Sequence, residues 1–536
     1  TQYLIKEIPK TVKNIAVLDK TKEFGSTGEP LFLDVLSALK NTDIKIYGGR
    51  YGLSGKNTNP NDINAVFNML STNPKNNFTL GINDDITNLS LKPLNIDIND
   101  NFTEIKIYGY GSDGLVSASK NFLNLIGKKM YIQGFFKYDS RKSGGLTECN
   151  IRLSNDKINA PYNLTHPKII IIGKDQYLDY YNIVDNIEKN GIIIINSEKE
   201  DIEISKILPN SKITSLKNKK IKIYKIDASE IARKNNLDGK TGIILEKCLL
   251  EFLLNQSDLI ETLKENIITR FKTKGSDIIN NNLKSIENTS LQEVILTENQ
   301  KIEKEYSNLF EKIAFKKGEN LTTKDVSIIK SGIYPGGLIN YKNKIYPELV
   351  PEWIKENCIA CNICSLVCPH GAITPKIENG ISKIYIDTNI CTGCGLCIDN
   401  CPGKNKNKAL KMTNYYSTAY IEENLTNQFN KFNIKGSQYE EKKFKCPGAC
   451  SGCGETPYIK LLTQLYGKEL VIANATGCSS IYGGSSPYTP YTIPWANSLF
   501  EDNAEFALGI NQSIKHNRNK LEQYLKNNML KETKED

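Results

Sequence analysis

No run of about 18 apolar residues occurs in the 536-residue sequence, so no membrane-crossing helix is predicted. The longest apolar stretches, in KIIIIGK and NGIIIIN, suit buried parallel strands instead. Histidine is scarce, with His166, His370 and His516 the only three. They assemble into no Ser/His/Asp arrangement, which removes the usual hydrolase candidates. His370, in the turn CPHGA, reads as structural, and His166 and His516 sit in polar or loop-like stretches with no assigned role. The net charge of +9 is diluted along a Lys-, Asn- and Ile-rich chain without a basic stripe interleaved with aromatics, so nucleic acid is not a predicted partner. No basic-then-apolar leader opens the sequence. It starts at Thr1 and enters strand-like YLIKEIPKTVKNIAVLD at once, which predicts a cytoplasmic chain that begins inside a longer protein.

What is present is an α/β pattern over a length that predicts about three to five domains of about 100–200 residues. IAVLD reads as a short strand, EPLFLDVLSALK as an amphipathic helix and DIKIYGGRYG as a strand with a glycine turn. A second α/β series begins at EIKIYGYGSDG and runs to about Asn288, with strands in MYIQGFF, KIIIIG, GIIIIN and KIKIYKID. Helical sequence from about Asp258 to Ile286 closes it. A polar, irregular connector follows, then a cysteine-rich module, then another α/β start with LVIANAT as a strand and a Lys/Glu/Asn-rich helix at the end.

Of 14 cysteines only Cys149 and Cys248 precede Cys358, and the other 12 fall between Cys358 and Cys478. Clustering of this kind in a large chain points to metal rather than disulfides. CIACNICSLVCP supplies Cys358, Cys361, Cys364 and Cys368 before Pro369; CTGCGLCIDNCP repeats the pattern with Cys391, Cys394, Cys397 and Cys401 before Pro402. This C-x2-C-x2-C-x3-C-P spacing is that of two-cluster ferredoxins, in which the fourth cysteine of each run ligates the other cluster. One predicted [4Fe–4S] set is therefore Cys358, Cys361, Cys364 and Cys401, and the other Cys391, Cys394, Cys397 and Cys368. Structural zinc sites, which usually pair two-cysteine knuckles, fit these runs poorly. A mildly basic surface would suit a small acidic electron carrier.

CPGACSGCGETPY and ATGCSSIYGG add Cys450, Cys453 and Cys478, three candidate ligands of a third cluster, with Cys446 read as a non-ligand. The run Gly109-Tyr-Gly111-Ser-Asp-Gly114 is a G-x-G-x-x-G directly after a strand, where backbone amides can approach phosphate. A plain tight turn fits as well. No acidic residue stands about 20 positions on, which disfavours NAD.

Together these residues resemble the single-chain pyruvate:ferredoxin (flavodoxin) oxidoreductase family over nearly the whole sequence. IPKTVKNIAVLDKTKEFGSTGEPLFLDV resembles its second domain, EIKIYGYGSDGLVSASKN and FFKYDSRKSGGLT its coenzyme A-binding domain, and GACSGCGETPYIKLLTQLYG, IANATGCSSIYGG and WANSLFEDNAEFALG the start of its last. The resemblance implies a multidomain α/β chain. Residues 1–99 would be part of a transketolase C-terminal-like domain and 100–289 a gamma-type α/β domain for coenzyme A. A connector at 290–350 and a two-cluster ferredoxin-like α+β domain at 351–420 would follow, with the N-terminal part of a thiamine diphosphate-binding α/β domain at 421–536. Implied coenzyme A contacts are Gly111, Ser112, Asp113, Gly114, Leu115, Arg141 (where the family pattern has Lys) and Asn282; near Gly242 the family usually has Asn. Cys450, Cys453 and Cys478 match ligands of the proximal cluster, and Glu455 and Cys478 match thiamine-contacting positions.

The implied reaction is oxidative decarboxylation of pyruvate with coenzyme A, on thiamine diphosphate with Mg2+, in a homodimer. Its two electrons would leave singly through [4Fe–4S] clusters to ferredoxin or flavodoxin. The family's first domain, its G-D-G metal–diphosphate motif and a fourth proximal cysteine have no counterpart here, so the sequence reads as an internal fragment, inactive alone. The competing readings are an oxidoreductase for another 2-oxoacid and a stand-alone iron–sulfur electron-transfer module.

Overall fold

The computed structural model describes residues 2–96, 101–111, 113–139, 145–237, 239–253, 256–306, 308–329, 347, 349–413, 429–484 and 489–532. The chain is mixed α/β and divides into two compact units, Thr1–Tyr138 with Leu146–Tyr334, and Asp139–Gly145 with Pro335–Asp536. Among the described residues no helix is long and apolar enough to cross a membrane.

In the first unit a small parallel sheet is formed by β1 (Asn14–Asp19), β2 (Lys45–Arg50) and β3 (Phe78–Thr79). The larger sheet comprises β4 (Thr103–Tyr110), β5 (Tyr131–Tyr138), β6 (Leu146–Ser154), β7 (Ile169–Ile172), β8 (Ile192–Asn196), β9 (Lys222–Ile226) and β10 (Gln292–Glu293). Its strand order is β10-β9-β8-β7-β4-β6-β5, parallel from β9 through β4 and antiparallel at both flanks. The isoleucine runs are explained by this layering, because successive residues of a strand point to opposite faces. Ile169 and Ile171 join the core under the helices Leu115–Ile126, Gly242–Leu250 and Gln256–Phe271, while Ile170 and Ile172 join the core on the other face.

β6 was not anticipated, and it carries the sheet's buried ion pair. Arg152 is 0% exposed, and its Nε donates to Glu104 Oε1 at 3.0 Å. Its remaining donors reach Gln133 Oε1 and the carbonyls of Ala160, Tyr162 and Asn163. Glu104 Oε2 accepts from the amides of Thr165 and His166, so charge and hydrogen bonding are matched on both sides.

The second unit has small sheets only. β11 (Val350–Trp353) pairs antiparallel with β14 (Leu410–Thr413), and β12 (Ile373–Glu378) with β13 (Ile381–Ile386). Further on, β15 (Ile472–Asn474) pairs parallel with β16 (Trp495–Asn497), and the helix Asn503–Glu532 ends the described chain. With so little sheet to bury, its first core is built from Val350, Ala372, Ile373, Ile384 and Leu410 together with Cys368, Cys391 and Cys397.

Candidate metal centre

Both cysteine runs need left-handed backbone at the same two places. Ala360 and Asn362 have φ of 55° and 63°, and the matching Gly393 and Gly395 have 67° and 79°. At Gly393 a Cβ would lie 2.6 Å from the Leu349 carbonyl oxygen, so only glycine fits. Each turn curls its cysteines inward and passes into a short helix, Ile363–Leu366 or Leu396–Asp399, which carries the chain on towards the fourth cysteine.

Two cavities result. Cys358, Cys361 and Cys364 line the first with Cys401 from the other run, and Cys391, Cys394 and Cys397 line the second with Cys368. The two cavities are alike in size, as expected if both take the same group. Among the described residues no three His, Cys, Asp or Glu side chains converge on one point closely enough to hold a single ion. Cysteines that instead surround a cavity fit a multi-iron cube better than zinc.

The electrostatics agree with that donor set. Burial pushes Cys364 up to about 12, and Cys361, Cys358 and Cys401 add to the rise. Burial likewise pushes Cys391 up to about 12, reinforced by Cys368 and Cys394. Thiols so close and so buried can lose their protons together only around a cation. The Gly393 amide donates to Cys391 Sγ at 3.4 Å and the Ala409 amide to Cys401 Sγ at 3.3 Å, contacts of the kind that tune cluster potential. Cys149 and Cys248 stand elsewhere, buried, and burial pushes each up to about 12.

The third cysteine group lies beside the second cavity. A Cβ on Gly452 would stand 3.9 Å from that of Cys394, and Ser451 Oγ donates to the Thr392 carbonyl at 3.2 Å. Cys453 is half-buried, whereas Cys450 and Cys478 are exposed. Cys478 opens the helix Cys478–Gly483, on which Tyr482 is buried; burial, then the Glu455 carboxylate and Cys453, raise the Tyr482 phenol. Glu455 itself stands at the N-terminal boundary of the helix Thr456–Tyr466, without a side-chain capping bond. His370 lines the second cavity, with Nε2 3.3 Å from the Ala449 carbonyl and Nδ1 3.4 Å from Thr392 Oγ1. Cys446 is buried at φ 49°, and its amide donates to the His370 carbonyl at 3.0 Å.

Lys460 and Lys442 were missed in the sequence. Both are buried, and Lys460 sits on an inverted helix that buries Thr456, Lys460, Thr463 and Gln464 while exposing Tyr458, Leu462 and Tyr466. That inversion shows only in the fold, so the helical spacing of TPYIKLLTQLY carried no signal for it.

In the first unit the glycine turn follows β4 and opens the helix Leu115–Ile126. Asp113 builds it: Oδ2 accepts from the Tyr110 amide at 2.8 Å and Oδ1 from the Leu115 amide at 2.9 Å. Burial pushes Asp113 up to about 6 against the pull of those amides, so its carboxyl is committed to the turn. Gly114 has φ 86°, and a Cβ at Gly242 would lie 2.5 Å from its carbonyl oxygen, which leaves no room for the family's Asn side chain. Gly111 is half-buried and Leu115 buried; Asn282 is buried with Nδ2 donating to the Ile278 carbonyl at 2.7 Å. Ser112 and Arg141 lie outside the described residues.

Behind this turn the helix Gly242–Leu250 buries Glu246, whose Oε1 accepts from Asn121 Nδ2 while Oε2 has no hydrogen-bond partner among the described residues. Burial raises its pKa from 4.5 to about 8. The folded state therefore binds a proton that the unfolded chain releases above 4.5, and stability falls as pH rises from there to about 8. Glu246→Gln is expected to change stability little at pH about 5 and to gain a few kcal/mol (order of magnitude) at pH about 8.5, read as urea midpoints.

The family model for pyruvate ferredoxin/flavodoxin oxidoreductase matches residues 104–290, and that for a 4Fe-4S dicluster domain matches residues 357–405. The pyruvate:ferredoxin oxidoreductase of Moorella thermoacetica is 36% identical, over 97% of this chain and 49% of that protein. The pyruvate-flavodoxin oxidoreductase of Enterobacter agglomerans is 35% identical, over 95% of this chain and 48% of that protein. Among solved structures, a pyruvate oxidoreductase subunit from Thermotoga maritima covers 36% of this chain and 98% of its own at 18% identity and a TM-score of 0.29. The cysteine-lined cavities and the dicluster match together define a ferredoxin-type iron–sulfur domain within this chain. The chain belongs to the pyruvate:ferredoxin/flavodoxin oxidoreductase family, and it spans about half the length of the curated relatives it matches.

Proposed function

We propose that this chain carries the electron relay of an enzyme that oxidatively decarboxylates pyruvate with coenzyme A and passes electrons to ferredoxin or flavodoxin. The observation that carries the reading is the pair of equal cavities, each lined by three cysteines of one run and one of the other. Cys358, Cys361, Cys364 and Cys401 would hold one [4Fe–4S] cluster, and Cys368, Cys391, Cys394 and Cys397 the second. Cys450, Cys453 and Cys478 would contribute to a third beside thiamine diphosphate, with Glu455 and Cys478 facing that cofactor. When bound, thiamine diphosphate with Mg2+ supplies carbanion stabilisation and the clusters supply one-electron storage.

The chain's own residues set the order of the relay. The turn Cys450–Cys453 rests on Cys394 and Thr392 of the second cavity, and the stretch Cys364–Cys368 joins the second cavity to the first. Electrons entering at the third group would therefore reach the second cavity before the first. At the other unit, Gly111, Ser112, Asp113, Gly114, Leu115, Arg141 and Asn282 are proposed to contact coenzyme A in a homodimeric enzyme, although the amides of Asp113 and Leu115 are already bonded within the turn. Arg141 stands where the family pattern has Lys, which keeps a fixed positive charge at that position.

Anaerobic reconstitution of the 536-residue chain is expected to give a brown protein with about eight irons from the two full sets, plus a labile third centre. About two zinc ions and no visible chromophore would sink the reading.

A further inference from the structure

The stretch between the two cavities is held from below by a buried lysine. Lys460 is 0% exposed, and its Nζ donates to the carbonyl oxygens of Ser365, Leu366 (3.2 Å) and Cys368 (3.0 Å). Three acceptors call for three N–H groups, which an ammonium has and a neutral amine lacks. Lys442, 2% exposed, stands near enough to oppose that charge, with its own Nζ donating to the Ile373 carbonyl at 3.0 Å and to Thr374 Oγ1 at 2.7 Å. Burial, the largest influence, pulls the Lys460 ammonium down from 10.5 to about 7, and Lys442 adds to the fall. The sulfurs of Cys368 and Cys364, one from each cavity, favour the charge, and no carboxylate among the described residues does so. A buried cation without an anionic partner is costly, and a second cation beside it makes the cost larger. The missing counter-charge is supplied if the cavities hold anionic clusters.

We infer that Lys460 is a positioning residue whose fixed positive charge favours the reduced state of the cluster closed by Cys368 over that of its neighbour, and so sets which cavity holds the electron. The inference rests on the two-cluster reading above. A reduced cluster carries one more negative charge than an oxidised one, so a nearby cation raises its potential. Lys460 touches the ligand Cys368 itself, whereas at the first run it touches Ser365 and Leu366, which follow the ligand Cys364. The Cys368 sulfur also acts on it more strongly than the Cys364 sulfur, so the effect is larger at the second cavity than at the first. The step concerned moves a single electron, with no bond broken and no proton transferred. A purely structural role is also available to Lys460, because the carbonyls it meets end the short helix Ile363–Leu366.

The two roles separate in an anaerobic redox titration of the reconstituted full chain followed by paramagnetic resonance. Lys460→Met removes charge and donors; Lys460→Gln removes charge and keeps an N–H donor. Both are expected to retain wild-type iron while the second-cavity cluster becomes harder to reduce by about tenfold in its one-electron equilibrium, or about 59 mV, with a smaller change at the first. Unchanged potentials with iron intact would leave Lys460 as a helix cap and overturn the inference. Loss of iron in both variants, with wild type loaded, would also overturn it by assigning the lysine to assembly alone. A wild-type chain that takes up no cluster would instead defeat the two-cluster reading, an outcome distinct from either.

Discussion

Cys368→Ser is expected to abolish the cluster held by Cys391, Cys394 and Cys397 and to spare the one held by its own sequence neighbours. The reason is geometric: Cys368 lines the second cavity, whereas Cys358, Cys361 and Cys364 line the first. Losing one of four thiolates should cost about half of the roughly eight irons of the two full sets. Two reference variants identify the signal that disappears. Cys361→Ser defines the spectrum without the first cluster, and Cys394→Ser the spectrum without the second. The reduced Cys368→Ser chain should match Cys394→Ser, and Cys401→Ser should match Cys361→Ser. A Cys368→Ser spectrum that matches Cys361→Ser would refute the crossed ligation.

Arg152→Ala should be the most damaging change in the first unit. The guanidinium is 0% exposed and each of its nitrogens donates. Truncation therefore leaves Glu104 as a buried charge without a counter-charge, held only by the Thr165 and His166 amides, and strands Gln133 Oε1 and the carbonyls of Ala160, Tyr162 and Asn163. Breaking such a pair from one side costs about 3–5 kcal/mol. Urea unfolding followed by circular dichroism should show this as a separate early transition of the α/β unit. Glu104→Gln made together with Arg152→Met should recover part of the loss, because removing both charges removes the desolvation penalty as well. A loss below about 1 kcal/mol for Arg152→Ala would mean that the pair holds nothing together.

The sequence made the parallel strands legible because their chemistry is uniform: IIII in β7 and IIIIN in β8 can only be buried on both faces. β6 escaped because LTECNIRLS mixes Glu148, Asn150 and Arg152 into a strand buried on both sides, and no pattern of polar and apolar residues announces a charge that will be paired inside. β10 escaped for a different reason. Gln292 and Glu293 are exposed and form only a two-residue edge within a stretch that reads as connector. At the site, spacing alone brought out the two cysteine runs, since metal ligation constrains spacing more tightly than packing constrains composition. Spacing could not reveal Lys460, because a lysine at a helical position ordinarily reaches water. Nor could it reveal why residue 242 is glycine, which depends on the distant Gly114 carbonyl arriving beneath it.

The strand order also governs what the ribosome must manage. The two isoleucine runs, paired residue for residue as Ile169–Ile192 through Ile172–Ile195, are segments that would stack with copies of themselves if left open. By the time β7 is made, β4, β5 and β6 already exist, and the free side of β4 receives it. β8 then becomes the outer edge until β9 arrives, and β10 finally closes that side with a short strand bearing Gln and Glu. The hazardous interval of biosynthesis therefore runs from completion of Ile172 to completion of Ile226. A nascent chain halted there would present four adjacent isoleucines along an open edge, and such stalled chains are where precipitation should begin.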